Sequence, residues 1–337
     1  MSQPNTRHRR AHRTGAALAA AAAALSLAAA SSRVLAEGPA YSSKPVRVVV
    51  PYAPGGGTDL VTRLLSDPLR SALGTTILVD NRGGAGGTIG ADAVAKAAPD
   101  GQTLLITNVG LAFNAHLFAK LPYDTMRDLA PVTLVANQPN VLVVHPSLPV
   151  KNMAEFIAFT RARPGAVTYA SGGNGSATHL AAELLKMKAH IDIAHVPYKG
   201  TGPALTDVMG GHVQVFVSTL APALPQIQAG KLRALAVTSA GVTPSLPDVA
   251  PLSKAGVPGY EFNTWHGMFA PAATPKPLIA RLNTELRRIL ATDDIKKKYA
   301  AQGLEPVSGT PEEFGVFVKR EIEKWGSVVR AANVRVE

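Results

Sequence analysis

The chain has 337 residues, 46% of them apolar, with 34 Lys and Arg against 23 Asp and Glu and no cysteine. The missing cysteine excludes disulfides, thiolate nucleophiles, thiolate metal sites and the lipid-modified cysteine that tethers exported proteins to a membrane. Setting aside five N-terminal arginines lowers the formal charge from +11 to +6, with 29 basic residues against 23 acidic; no Lys/Arg block interleaved with aromatics reads as a nucleic-acid surface, and Lys296-Lys297-Lys298 reads as a solvated helical face.

Residues 1–36 stand apart. Arg7, Arg9, Arg10, Arg13 and Arg33 meet no acidic residue, and Ala16 to Ala30 is Ala and Leu except for Ser26. That run falls short of the ~20 residues a membrane helix needs, and Val34-Leu35-Ala36 forms a cleavage site before Glu37. The expectation is a signal peptide cleaved near Ala36 and a periplasmic product that is not a lipoprotein. The residues after Arg9-Arg10 do not match the twin-arginine consensus, which favours the ordinary secretory route.

About 300 mature residues suffice for two domains. Apolar runs read as strands at Val46 to Val50, Thr76 to Val79, Thr103 to Thr107, Val141 to His145, Val167 to Ala170, Ile191 to Val196, Val213 to Ser218 and Leu232 to Thr238. A helix with the i, i+3, i+4 rhythm runs from Leu60 to Leu73, closed by Gly74, and Pro68 is expected to bend or split it. Further helices are expected at Ala91 to Ala98, Met153 to Ala162, Ala177 to Lys188 and Pro203 to Met209. Two more start at a Thr274 cap before Pro275 and at the capping box Thr310-Pro311-Glu312-Glu313. Strands linked by helical crossovers imply an α/β fold with mostly parallel sheets covered on both faces. Gln138-Pro139-Asn140 and Tyr260 to Pro271 read as crossings between domains. They give a first domain of residues 44–143 plus 266–337 and an inserted second domain of residues 144–265.

Three small-residue segments sit between a strand and a helix: Pro54 to Asp59, Asn81 to Thr88 and Ser171 to Thr178. The first, in VRVVVPYAPGGGTDLVTRLL, reads as an anion site, because Gly55, Gly56 and Gly57 free the backbone and the following helix presents unpaired N–H groups. None of the segments satisfies G-x-G-x-x-G, the sole Gly-Lys pair is followed by Leu232, and G-x-S-x-G is absent, which disfavours nucleotide binding and serine hydrolysis. The second histidine of an H-E-x-x-H site is missing after His179 and Glu183, so neither a metal nor a cofactor is expected. Helix N-termini hold carboxylates without a buried basic residue. Thr58 and Asp59 also read as simple helix caps.

The motifs PYAPGGGTD, VDNRGGAGGTIGADAVAKAAPDG, YASGGNGSATHLAAELL, HVPYKGTGPALTDVMGGHVQ and RALAVTSAGVTPSLPDV, in that order, resemble the Bug receptors, the TctC-like solute-binding components of tripartite tricarboxylate transporters. The resemblance spans residues 44 to about 335. It implies a two-domain periplasmic binding protein of Venus-flytrap type, not an enzyme, that captures a small carboxylate and delivers it to membrane permease subunits. Dicarboxylates, tricarboxylates, acidic amino acids and aromatic carboxylates all remain open as ligands, and a monomer is expected. Ligand contacts carried over from the resemblance are Ala53, Gly56, Gly57, Thr58, Asp59, Asn108, Ser171, Gly172, Ser176 and Thr178, with Asp207 discriminating the distal end of the solute. A sensory receptor of the same fold and an exported α/β hydrolase stand as alternatives.

Overall fold

β-branched apolar runs form the strands and amphipathic runs the helices of the computed structural model, which describes residues 44–118 and 120–331. The signal peptide expected at residues 1–36 lies outside them. The first half begins β1 (Val46–Val50), α1 (Gly57–Leu73), β2 (Ile77–Asn81), a 3-10 turn at Ala85–Gly87 and α2 (Thr88–Ala95). It continues through β3 (Thr103–Asn108), α3 (Gly110–Leu117), α4 (Thr125–Asp128) and β4 (Leu129–Val144). Next come α5 (Met153–Arg161), β5 (Thr168–Ser171), α6 (Ala177–Ala189), β6 (Ala194–Pro197), α7 (Thr201–Met209), β7 (Val215–Thr219), α8 (Leu220–Gln228) and β8 (Arg233–Val237). β9 (Asn263–Pro271), α9 (Lys276–Leu290), α10 (Asp293–Ala300) and α11 (Pro311–Ala331) complete the order.

The strands join in the order β2-β1-β3-β9-β4-β7-β5-β6, with β8 also on β4. β1 pairs in parallel with β2 and β3 at one end, and β5 with β6 and β7 at the other. Between these parallel ends, β4 and β9 run antiparallel to their neighbours. The 16-residue β4 changes partners along its length. Leu129 to Pro139 pair with β9, and Asn140 to Val144 pair with β7 and, from Val141, with β8. Periodicity detects only the apolar end of β4, because the earlier stretch is broken by Pro131, Asn137, Gln138 and Pro139. The crossing segment expected at Tyr260 to Pro271 contains a full strand, β9, eight of whose nine residues are buried.

Side-chain burial fixes the helices to this sheet. α1 lays Val61, Leu65 and Leu69 against Val46, Val48 and Leu104, with Leu282 and Leu286 of α9 behind them. At roughly 1.5–3 kcal/mol per buried aliphatic side chain, this stripe exceeds the ~3 kcal/mol an interior proline costs. α1 therefore runs as one helix through Pro68, rather than splitting there. Near the other end of the sheet, Leu205 and Val208 of α7 and Leu224 of α8 pack on Val141, Val143 and Phe216. A third cluster around Phe113, Phe262, Trp265 and Trp325 links the halves, and the described residues pack as one compact unit.

Caps set the helix starts. Thr310 and Glu313 form the expected reciprocal box, Glu313 N–H donating to Thr310 Oγ1 at 3.1 Å and Thr310 N–H to Glu313 Oε2 at 2.8 Å. The other expected start differs: Pro275 holds the cap position of α9, and Thr274 Oγ1 makes no cap bond.

Candidate functional site

β1 ends where Pro51 and Tyr52 lead into the glycine turn before α1. Of the three glycines only Gly55 has a positive φ, +85°, and its N–H donates to Asp59 Oδ2 at 3.0 Å. Gly57 is required for space instead: a Cβ there would lie 2.5 Å from Gln138 Nε2 and 3.1 Å from Thr219 Oγ1. α1 opens at Gly56 without a side-chain cap, so its first-turn N–H groups and positive dipole end face the site. β3 brings in Asn108, whose Oδ1 accepts from Tyr52 O–H at 3.0 Å and Gly110 N–H at 2.9 Å. Asn108 Nδ2 donates to Thr58 Oγ1 at 3.0 Å, leaving the Thr58 proton free to donate.

Three strand-to-helix junctions of the other half face this turn. After β5, Thr178 Oγ1 accepts from Gly172 N–H at 2.8 Å and shares a hydrogen with Ser176 Oγ at 3.1 Å. Ser176 caps α6 by accepting from His179 N–H. Thr201 opens α7 behind Gly200, and Thr219 stands at the cap position of α8 without its side chain making a cap bond. Together these groups enclose a cavity of about 20 Å³, lined by Tyr52, Gly56, Gly57, Thr58 and Asn108 from one half and Gly172, Ser176, Ala177, Thr178, Thr201 and Thr219 from the other. That volume holds one water-sized group. Every lining side chain is neutral, so attraction for an anion comes from N–H groups, hydroxyls and helix ends.

Seven of the eleven residues carried over by resemblance line this cavity: Gly56, Gly57, Thr58, Asn108, Gly172, Ser176 and Thr178. The other four do not line it. Ala53 N–H donates across the seam between the halves to Lys199 C=O at 3.0 Å. Asp59 turns away from the cavity, accepting from Gly55 N–H, Arg63 Nε and Asn81 Nδ2, each at 3.0 Å. Burial raises the Asp59 pKa, but those hydrogen bonds, Arg63's first, outweigh it and hold the carboxyl below its ordinary value. Asp207 accepts from Tyr198 O–H at 2.6 Å, and burial with this contact pushes the phenol up to about 12.

Ser171 is fully buried beneath the loop, its Oγ accepting from Gly173 N–H at 3.0 Å and meeting His195 Nε2 at 2.6 Å. The His195 ring stacks on His179 at 4.1 Å between centroids and on Tyr169 at 4.8 Å. Tyr169 O–H in turn donates to Glu183, which Lys186 pairs. Burial lowers His179 to about 4, with Lys186 adding to it. For His195, burial and the charges of His179 and Lys186 outweigh the raising effect of Glu183 and bring it to about 3. Both rings stay neutral, and His179 Nδ1 accepts the Gly175 N–H, so the pair props the loop from below.

Sequence reasoning missed Tyr52, Ala177, Thr201 and Thr219. All four lie at the boundary between a strand's carboxyl end and the next helix, the position at which α/β sheets bind ligands. Among the described residues no His/Cys/Asp/Glu group is placed to hold a metal, and no helix is long and apolar enough to cross a membrane.

The fold recurs in solved structures. The R. palustris protein Rpa4515 with adipate is 36% identical with a TM-score of 0.84, covering 87% of this chain and 98% of that one. MatC from Rhodopseudomonas palustris with bound malate is 34% identical with a TM-score of 0.82, covering 85% and 99%. The periplasmic binding protein BugD is 34% identical with a TM-score of 0.86, covering 88% and 100%. The fold is thus that of two-domain periplasmic binding proteins, and the family model of the tripartite tricarboxylate transporter family receptor, TctC, matches residues 61–334. The chain belongs to the tripartite tricarboxylate transporter receptor family, a family of solute-binding proteins and not of enzymes.

Proposed function

We propose that the protein is a periplasmic receptor that closes on a small carboxylate and delivers it to the permease of a tripartite tricarboxylate-type transporter. The observation that carries this reading is the convergence of three helix starts whose own cap residues make no side-chain cap bond, those of α1, α7 and α8, on one neutral, hydroxyl-lined cavity. Such donors suit a carboxylate, each charge-assisted bond contributing about 1.5–3 kcal/mol. The malate and adipate bound by similar proteins support a dicarboxylate. The change of partner of β4 at residues 139–140 supports a hinge there between the two domains, a few residues before the boundary expected at 143–144, since Asn140 to Val144 already pair with β7. A space of about 20 Å³ holds a single water-sized group and not a whole carboxylate, so entry requires the halves to part. Thr58, Asn108, Ser176 and Thr178 hold the carboxylate together with the α1 backbone, while Asp59, Ser171 and Ala53 hold the loops that present them.

Thermal unfolding with malate, adipate, citrate, glutamate and neutral sugars tests the reading. A ligand at a hundred times its dissociation constant adds about 2.7 kcal/mol, a shift of several degrees in a chain this size. A shift with sugars and none with any carboxylate would overturn it.

A further inference from the structure

Thr219 occupies the position at which a threonine ordinarily caps its own helix, with φ −59° and ψ 142° before α8, yet its hydroxyl makes no cap bond. Gln138 has taken that task, its Oε1 accepting the Ala221 N–H at 3.3 Å. This contact orients the Gln138 amide, so Nε2 donates to His266 Nε2 at 2.8 Å. His266 is completely buried and neutral, its pKa brought to about 3 by desolvation, and its Nε2 accepts in the tautomer that carries the proton on Nδ1. The relay from His266 through Gln138 to α8 relieves Thr219 of its local role.

The released hydroxyl is buried, in a residue 3% exposed, and has no hydrogen-bond partner. It lines the cavity beside Gly57, at the point where the two halves meet. A buried hydroxyl without a partner destabilises the chain unless something else satisfies it. Its neighbours there, Gln138 Nε2 and the first-turn N–H groups of α1, are donors, so the missing partner is an acceptor.

We propose that Thr219 is a ligand contact and specificity-determining residue, its hydroxyl donating to a carboxylate oxygen of the bound solute beside the N-terminus of α1. The proposal rests on the carboxylate-receptor reading above. An oxygen held at once by α1 and by Thr219 ties the two halves together next to β4, so this contact rewards the closed form. A ligand lacking an acceptor there leaves the hydroxyl unpaired and is rejected.

Calorimetric titration of malate and adipate into the parent protein and Thr219→Val, which keeps the shape and removes the hydroxyl, tests this. The valine variant should bind whichever acid the parent binds 10- to 100-fold more weakly, while its unliganded melting temperature stays level or rises. Thr219→Ser should bind within about threefold of the parent. Equal affinity in parent and valine variant overturns the assignment of Thr219 alone. A fall in unliganded melting temperature with unchanged affinity does the same, because it marks the hydroxyl as structural. Should the valine variant not fold, Thr219→Ala removes the hydroxyl without adding bulk against Gly57 and is read in the same way. A parent that binds neither these acids nor any other carboxylate overturns the receptor reading itself, and Thr219 with it.

Discussion

Gly57 and Gly74 lie at opposite ends of α1 and are glycine for different reasons, which substitution separates. Gly74 has φ +68° and nothing within 4 Å of the place a side-chain carbon would take, so Gly74→Ala costs only the left-handed backbone, roughly 1 kcal/mol. Gly57 has an ordinary φ but no room beside Gln138 and Thr219. Gly57→Ala should lower stability by about 1–3 kcal/mol through overpacking and weaken carboxylate binding at least tenfold. Denaturant midpoints and titration calorimetry on both variants check this; equal affinity in the two would remove Gly57 from the site. At this scale the sequence carried much of the cavity lining, since glycine runs and hydroxyls at strand ends are visible in one dimension. It could not show that Asp59 faces Arg63 and Asn81, because the direction of a side chain on a first helical turn depends on what packs around it. Nor could it find Thr219, whose lost cap bond depends on Gln138, 81 residues away in the chain.

The elements were legible where they are apolar and periodic. β1 and α5 start as read, while β9 and the first part of β4 escaped because prolines and polar residues interrupt strands whose pairing, not their pattern, makes them strands. The loop between β5 and α6 depends on a feature no pattern reveals, the stacked neutral His179 and His195. An unfolded histidine takes up its proton near pH 6.5, whereas these rings, with His266 in β9, resist protonation to about 4 and 3. Between about pH 4 and 6.5 the unfolded chain therefore binds more protons, and unfolding free energy rises with pH. The contribution is full above 6.5 and disappears as pH falls through the folded values, at most on the order of 2 kcal/mol per histidine by pH 5. Asp59 and Asp128, both held below their ordinary values, act only at lower pH. Urea midpoints from pH 7.5 to 4.5 should fall steadily below 6.5, and a flat profile would contradict the neutral pair.

For the whole molecule the decisive feature is the seam on which the halves meet. Beside the glycine turn its closest contacts are backbone. Ala53 N–H donates to Lys199 C=O, Gly200 approaches Ala53, and a side-chain carbon on Gly202 would collide with Pro54 C=O. Gly202 lies in the first turn of α7 without a positive φ, so alanine there suits the helix itself and adds its own small stabilisation. Gly202→Ala therefore opposes closure without opposing folding. If closure is what retains the ligand, apparent affinity falls in proportion to the fraction of molecules able to close. The expected result is an unliganded melting temperature within a degree or two of the parent, at least tenfold weaker carboxylate binding, and a radius of gyration in small-angle scattering that no longer contracts with ligand. Parent-like affinity with parent-like contraction would show that the halves close without this contact, and that retention is due to the cavity alone.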